Sequence, residues 1–431
     1  MSALLRRLRD VRRPRAVGSV TVGHGVNEFF SIVIPPIIPL LVADFGITYG
    51  QAGVLVTIFF VMYALFQLPA GMLADVIGKE RLLIAGLFGM AGGVLVASLA
   101  TSYETLLVAQ AIAGISGSAF HPTGMALVSD YETEQTEGKA MGVFGFGGAL
   151  GTMSAPVIVG GVAAVADWRL ALATGVAIGV LVTCLVVYLF VTAEEPDTDE
   201  AGGADEVDDE TESTPRTDGG RSESTHSVRA AVRNAIDLPI TPSIVVLFFV
   251  TVVLSMQHRA IQTYTTSYVA AETGASVAAG NVTFFALLVG GSLASLYAGD
   301  LADRFDRITL GIAASLATAA LVAATLATTL LEGLPIELLT AILAVWFAVI
   351  GAGMYASYPV KNAMVSQQAE ATSSGSLFGV IQTGSAIGSA SGPTVFGVLS
   401  TRWGVVAAFP AIAAVSVVLA LSFGLLWFVT D

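Results

Sequence analysis

Apolar runs long enough to cross a bilayer, about 20 residues each, recur along nearly the whole chain and give way to a long polar stretch only once, near the middle. In hydrocarbon every backbone N–H and C=O must find an internal partner, so such runs fold as helices that pack on one another. Twelve spans can be laid out, six between residues 17 and 192 and six between residues 239 and 431. With 55% hydrophobic and 12% charged residues and a mean hydropathy of +0.79, the apolar content exceeds what a soluble core accounts for. The fold class expected is therefore an all-α integral membrane protein.

Basic residues orient the spans. If both ends face the cytoplasm, 16 of the 19 Lys and Arg fall on that side, among them the arginines of a basic tail over residues 1–16, and only Arg169, Arg259 and Arg402 do not. The first apolar run is too long for a cleaved signal peptide and is expected to be retained. Much of the net charge of −14 comes from the polar stretch, which lacks apolar periodicity and reads as a disordered, solvated cytoplasmic linker over residues 193–238. Cys184, the single cysteine, permits no intramolecular disulfide and is expected to serve packing.

The two sets of spans share more than hydropathy. Displacing the chain by 237 residues aligns His121-Pro122 with Tyr358-Pro359, and Gly142, Gly147, Gly151 and Ala155-Pro156 with Gly379, Gly384, Gly388 and Gly392-Pro393. At a slightly different offset "GMLAD", Gly71 to Asp75, matches "GDLAD", Gly299 to Asp303, and Trp168-Arg169 echoes Arg402-Trp403. Matches at equivalent places in both halves imply two homologous six-helix bundles, residues 17–192 and 239–431, related about an axis along the membrane normal, with a site between them at mid-depth.

"GMLADVIGKERL" resembles the signature loop between spans two and three of the major facilitator superfamily, with Gly71, Asp75, Gly78, Lys79 and Arg81 matching and Val76 where arginine is usual. The second half keeps Asp303-Arg304 but has Asp306 in place of the later glycine. The resemblance implies a pair of six-helix bundles and a latch that holds them together on the cytoplasmic side, the carboxylate accepting N–H groups at a neighbouring helix start. Val76 supplies no cation to it. "HGVNEFF" in the first span and "GISGSAFHPTG" in the fourth look like the fosmidomycin-resistance branch, with Glu28 where that branch has aspartate. Span four carries Gln110 where many proton-coupled members have arginine, and "GFGGALGTMSAPVIVGG" is similar to the antiporter motif of span five; its small residues equally suit close helix packing.

An acid in the first span needs a reason, because a charge near the bilayer centre costs about 2.5–3.5 kcal/mol on insertion scales and normally faces protein or a wet cavity. Glu28 lies roughly 16 Å beyond a span start near residue 17, and His24, Asn27, Glu28, Ser31 and Pro35 share one helical face. A cavity-facing Glu28 suits proton exchange; an ion pair with Arg259 of the seventh span is the structural alternative. Arg259 equally suits receipt of an anion through its forked guanidinium. His258 and Gln262 lie beside it, and His121 either joins the pathway or marks the bend made by Pro122. Lys361 is expected as an anchor at the membrane edge. The spacing shows no zinc-type Cys/His cluster, phosphate loop or nucleophile elbow, so neither cofactor nor metal is expected and an enzyme is not. The expectation is a monomeric secondary transporter of the cell membrane working by alternating access. In the favoured reading a proton taken up by Glu28, assisted by His24 or His121, competes with substrate and couples export to proton entry, and the resemblance implies a drug or small organic anion as cargo; metabolite uptake and a non-transporting receptor stay as alternatives. Its expected partners are a small-molecule substrate, protons and lipid, without nucleic acid.

Overall fold

The computed structural model describes residues 11–193, 241–272, 276–331, 333–370 and 374–429. The expected basic tail is described only from Val11, and the acidic linker expected over 193–238 lies, beyond Ala193, outside the described residues. The rest is helix, and twelve membrane-length segments follow in chain order. The first half comprises α1 (Pro14–Phe45), α2 (Tyr49–Ile77), α3 (Lys79–Ser98), α4 (Tyr103–Gly117 and Phe120–Tyr131), α5 (Glu134–Val165) and α6 (Trp168–Ala193). The second comprises α7 (Pro242–Glu272), α8 (Val277–Arg304), α9 (Arg307–Ala323, continued by a 3-10 turn Ala324–Leu331), α10 (Ile336–Glu370), α11 (Ser374–Trp403) and α12 (Val405–Ala408 and Ile412–Leu425). Ten of these have the length and hydropathy of membrane spans. The two others are α4, split into shorter helices, and α11, whose many Gly, Ser and Thr residues lower its hydropathy.

Local chemistry starts, stops and bends these helices. Thr48 and Gln51 form a reciprocal capping box at the start of α2, and Ser102 and Asp306 cap α4 and α9 through the N–H groups of Thr105 and Thr309. Gly78, at φ +95°, makes the turn from α2 to α3. Its counterpart Asp306 has φ −57° and caps α9 instead, so the acid that replaces the expected glycine serves the helix start. Proline breaks α1: helix ends at Ser31, Pro35–Ile37 forms a 3-10 turn, and helix resumes over Ile38–Phe45. Pro35 thus sits past the end of the helical face that bears His24 and Glu28. In α4 the ring of Pro122 supplies no N–H to Ser118, and the helix is interrupted at Ser118 and Ala119.

The repeated glycines set the packing within each half. A Cβ built on Gly147 would lie 2.3 Å from the Thr21 carbonyl oxygen, and one on Gly151 2.0 Å from that of Gly25, so α5 lies backbone to backbone on α1. In the second half a Cβ on Gly388 would meet the Val252 oxygen at 2.1 Å and one on Gly392 the Met256 oxygen at 2.4 Å, which places α11 on α7 in the same way. The antiporter-like motif therefore acts as a close-packing seam. Cys184 is a correction: it is exposed on the outer surface of α6 rather than packed, because the small-residue faces take the buried side of the bundle.

Gly151→Ala is expected to push α1 and α5 apart and destabilise by about 1–3 kcal/mol, whereas Gly142→Ala, with nothing within 4 Å of the added carbon, should be neutral. Thermal melting of both variants in detergent checks the contrast.

Candidate functional site

A cavity of about 700 Å³ separates the halves at mid-depth. The first half contributes His24 and Glu28 of α1, Phe60 and Tyr63 of α2, His121 of α4 and the α5 stretch from Gly142 to Met153; the second contributes His258, Arg259 and Gln262 of α7, Tyr355 and Tyr358 of α10 and Ser385 of α11. The halves meet beyond it, toward the face opposite the start of α1. There the Gly50 N–H donates to Thr401 Oγ1 (2.8 Å), the Thr57 hydroxyl to the Ala390 carbonyl (2.6 Å), and Asn281 Nδ2 to the Pro36 carbonyl freed by the break in α1 (3.1 Å). The Tyr264 hydroxyl is shared between the carbonyls of Pro393, in its own half, and Tyr49, in the other. Backbones touch: a Cβ on Gly53 would lie 2.2 Å from the Pro393 oxygen. The cavity accordingly opens toward the basic face, where α1 begins.

On the first wall Glu28 stands between two imidazoles. Its Oε1 is 3.8 Å from His24 Nε2, 3.9 Å from His121 Nε2 and accepts from Asn27 Nδ2 at 3.2 Å. His24 is fixed on three sides, by stacking on Phe144 (centroids 4.0 Å) and Phe120 (5.6 Å) and by a 2.8 Å bond from Nδ1 to the Phe144 carbonyl. A carbonyl only accepts, so Nδ1 carries the proton and the neutral ring leaves a lone pair on Nε2. His121 Nδ1 is 2.8 Å from the Tyr63 hydroxyl. Asn27 is fully buried, with no partner for its Oδ1.

The opposite wall is cationic. Arg259 lays its guanidinium 4.1 Å over the ring of Phe60, across the cavity, and donates to Gln262 Oε1 at 2.9 Å; Gln262 passes the chain to the Tyr355 hydroxyl at 2.9 Å. Its Nε is buried without a partner, and no carboxylate lies within ion-pair distance of it among the described residues. The Glu28–Arg259 pair weighed as the structural alternative is not formed. His258 sits edge-on to Tyr355 (4.5 Å) and Tyr358 (5.0 Å), its Nδ1 also unpartnered.

The expected latch at the basic face is not closed in this structure. Asp75 and Val76 are exposed, Asp75 has no partner among the described residues, and Lys79 pairs instead with Asp130 of the same half at 2.5 Å. Gly71, Gly78, Arg81 and Arg304 surround the same loops, and the Asp303 side chain lies outside the described residues. The halves are apart at that end, which leaves Asp75 nothing across the gap to hold. Lys361 corrects another expectation: it is 8% exposed and its ammonium faces the Tyr358 ring at 5.8 Å, because it lies well inside α10 rather than at its end.

Sequence reading missed Tyr63, Phe144, Tyr355 and Phe60. Tyr63 carried no signal of its own, being one aromatic in an apolar span, and the Phe144 contribution is a backbone carbonyl. The linear spacing shows no metal-type cluster, but the fold brings His24, Glu28 and His121 together with one possible ligand atom each, all within 4.8 Å of one another. Two spans supply them, so no local pattern shows the group.

The family pattern of the Major Facilitator Superfamily matches residues 20–268 and again 247–431, the two matches overlapping on α7. The chain belongs to this superfamily. Among curated superfamily relatives, the inner membrane transport protein YnfM of Escherichia coli (strain K12) is 29% identical over 140 residues, 32% of this chain and 34% of the relative. The fosmidomycin resistance protein of the same organism is 28% identical over 142 residues, 33% and 35% of the two chains. A probable 4-methylmuconolactone transporter of Cupriavidus pinatubonensis is 27% identical over 158 residues, 36% and 37%. These matches span about a third of each relative's length. The fold extends further: a bacterial homolog to the human lysosomal transporter Spinster, inward-facing and occupied, superposes with a TM-score of 0.72 over 97% of both chains at 16% identity.

Thr57→Val removes the hydroxyl that bonds Ala390 across the closed face, a loss of about 1–2 kcal/mol. The population open at that face should rise roughly 5- to 30-fold, read as a longer distance between spin labels on the ends of α2 and α11 there.

Proposed function

We propose that this superfamily member is a secondary active transporter of the cell membrane that couples export of a drug or small organic anion to proton entry. Family and fold indicate a transporter rather than an enzyme. The basic face, with Arg12, Lys79, Arg81, Lys139, Arg304 and Arg307, is cytoplasmic by the charge bias of membrane proteins, which puts both termini inside. The structure is then the inward-open form of an alternating-access cycle.

One observation carries the reading of the cargo: Arg259 faces the cavity with no carboxylate within ion-pair distance among the described residues, so an incoming anion completes its pairing. Glu28, held by Asn27 and two imidazoles instead, is free to exchange a proton with the cavity water. In this reading a proton taken up by Glu28, assisted by His24 or His121, competes with cargo for the cavity, so that each leaves as the other binds and proton entry drives export. A relative named for fosmidomycin resistance and others named for small organic compounds fit a cargo of this size.

Proteoliposomes with an imposed pH gradient test the coupling. Glu28→Gln should abolish the response to the gradient with melting unchanged; a response of full size would remove Glu28 from the mechanism. Accumulation of cargo together with protons, rather than against them, would reverse the direction. Arg259→Ala should weaken anion binding by roughly 10- to 100-fold and spare neutral cargo, and equal loss for both would overturn the anion site.

A further inference from the structure

The group on the first wall has the composition and support of a coordination site. His24 Nε2, His121 Nε2 and Glu28 Oε1 converge from α1 and α4, the carboxylate oxygen 3.8 and 3.9 Å from the two nitrogens and all three atoms within 4.8 Å of one another. We infer that this triad binds a divalent transition-metal ion of the zinc type. The inference uses the cavity wall alone and does not depend on the direction of transport or on the anion.

Three features favour a metal over a chance meeting of side chains. Ligating histidines regularly hand their second ring nitrogen to a carbonyl or other polar group, which fixes the ring and its tautomer. Both do so here, His24 through Nδ1 to the Phe144 carbonyl and His121 through Nδ1 to the Tyr63 hydroxyl, each at 2.8 Å. The first of these bonds requires the proton on Nδ1, so the neutral His24 ring aims a lone pair from Nε2 toward Glu28. Its contacts with the nearly parallel rings of Phe144 and Phe120 hold the ring in that orientation before any ion arrives.

The donor set selects the ion. Two imidazoles and one carboxylate suit zinc and its neighbours, whereas magnesium and calcium take oxygen donors. Bonds of about 2.0–2.2 Å to a tetrahedral centre require the three atoms to draw in by roughly 1 Å. Glu28 and His121, with side chains 21% and 29% exposed to the cavity, have room to make that movement toward the fixed His24. The remaining coordination position faces the cavity, where water or a donor atom of a cargo completes it.

The test uses the full chain in detergent, purified without a polyhistidine tag. Cobalt(II) serves as the probe, its ligand-field bands reporting low-symmetry nitrogen and oxygen ligation. One cobalt per chain is expected, displaced by zinc and not by magnesium. His24→Ala and His121→Ala should each weaken binding at least 100-fold, and Tyr63→Phe, which loosens His121 without removing a ligand, about 10-fold. His258→Ala, on the other wall, should leave the bands unchanged. Should His24→Ala fail to fold for loss of its stacking, the partly exposed His121→Gln carries the same test, with melting as the fold control. Bands that persist undiminished in His121→Gln, or a folded wild type that binds no cobalt, would overturn the inference. Either result leaves the anion and proton assays standing, just as failure of those assays leaves the cobalt result standing.

Discussion

An ionised side chain at the bilayer centre costs about 2.5–3.5 kcal/mol on insertion scales, and α1 and α7 each carry an ionisable one, Glu28 and Arg259. That cost sets how the helices are rotated. With Glu28 and Arg259 turned to the cavity, the remaining faces of α1 and α7 must be closed against protein, and the glycines of α5 and α11 meet them there backbone to backbone. The two requirements support each other: the glycine seam keeps α1 and α7 from rolling, and the polar residues would be stranded if they did. The cavity is thus a consequence of helix rotation more than of any loop.

Duplication explains the plan of the site, and divergence explains its chemistry. Each half sets the histidine of its first helix against the residue before the proline of its fourth. In the first half that pairing is His24 with His121, centroids 5.2 Å apart; in the second it is His258 with Tyr358, 5.0 Å apart. One wall keeps a carboxylate between its rings and the other a guanidinium beside them. The repeat therefore yields an acidic wall rich in imidazole facing a cationic wall rich in tyrosine.

Much of this was legible in the residues alone. Hydropathy located the helices, since only α4 and α11 fall short of a plain membrane span, and glycines of the repeat, Gly147 and Gly151 in one half and Gly388 and Gly392 in the other, lie on the paired seams of α5 on α1 and α11 on α7. Of the residues named on α1, α4 and α7, the structure places His24, Glu28, Ser31, His121, His258, Arg259 and Gln262 at the cavity and Asn27 beside Glu28, but not Pro35 or Gln110. What stayed illegible depends on pairing at a distance. That Glu28 meets His121 rather than Arg259, and that Tyr63 orients His121, depend on helix packing that no linear spacing encodes. Lys361 looked terminal because a basic residue near a span boundary usually is; the actual helix runs on to Glu370. The latch residues Gly71, Asp75, Lys79 and Arg81 cluster at the turn from α2 to α3, but a motif does not report that Lys79 pairs with Asp130 of the same half.

The broken first helix has one more consequence. Because α1 stops at Ser31, the Pro36 carbonyl is free for Asn281, and the other bonds across that seam also join neutral groups: Gly50 to Thr401, Thr57 to Ala390, Tyr264 to Tyr49. Each can be traded for a bond to water at a net of about 0.5–1.5 kcal/mol, and among the described residues no ion pair bridges the seam. A zipper of uncharged bonds parts tooth by tooth, wetting as it goes. If the halves rock as proposed, that modest polar strength lets an occupant of the chamber influence on which side the protein stands open.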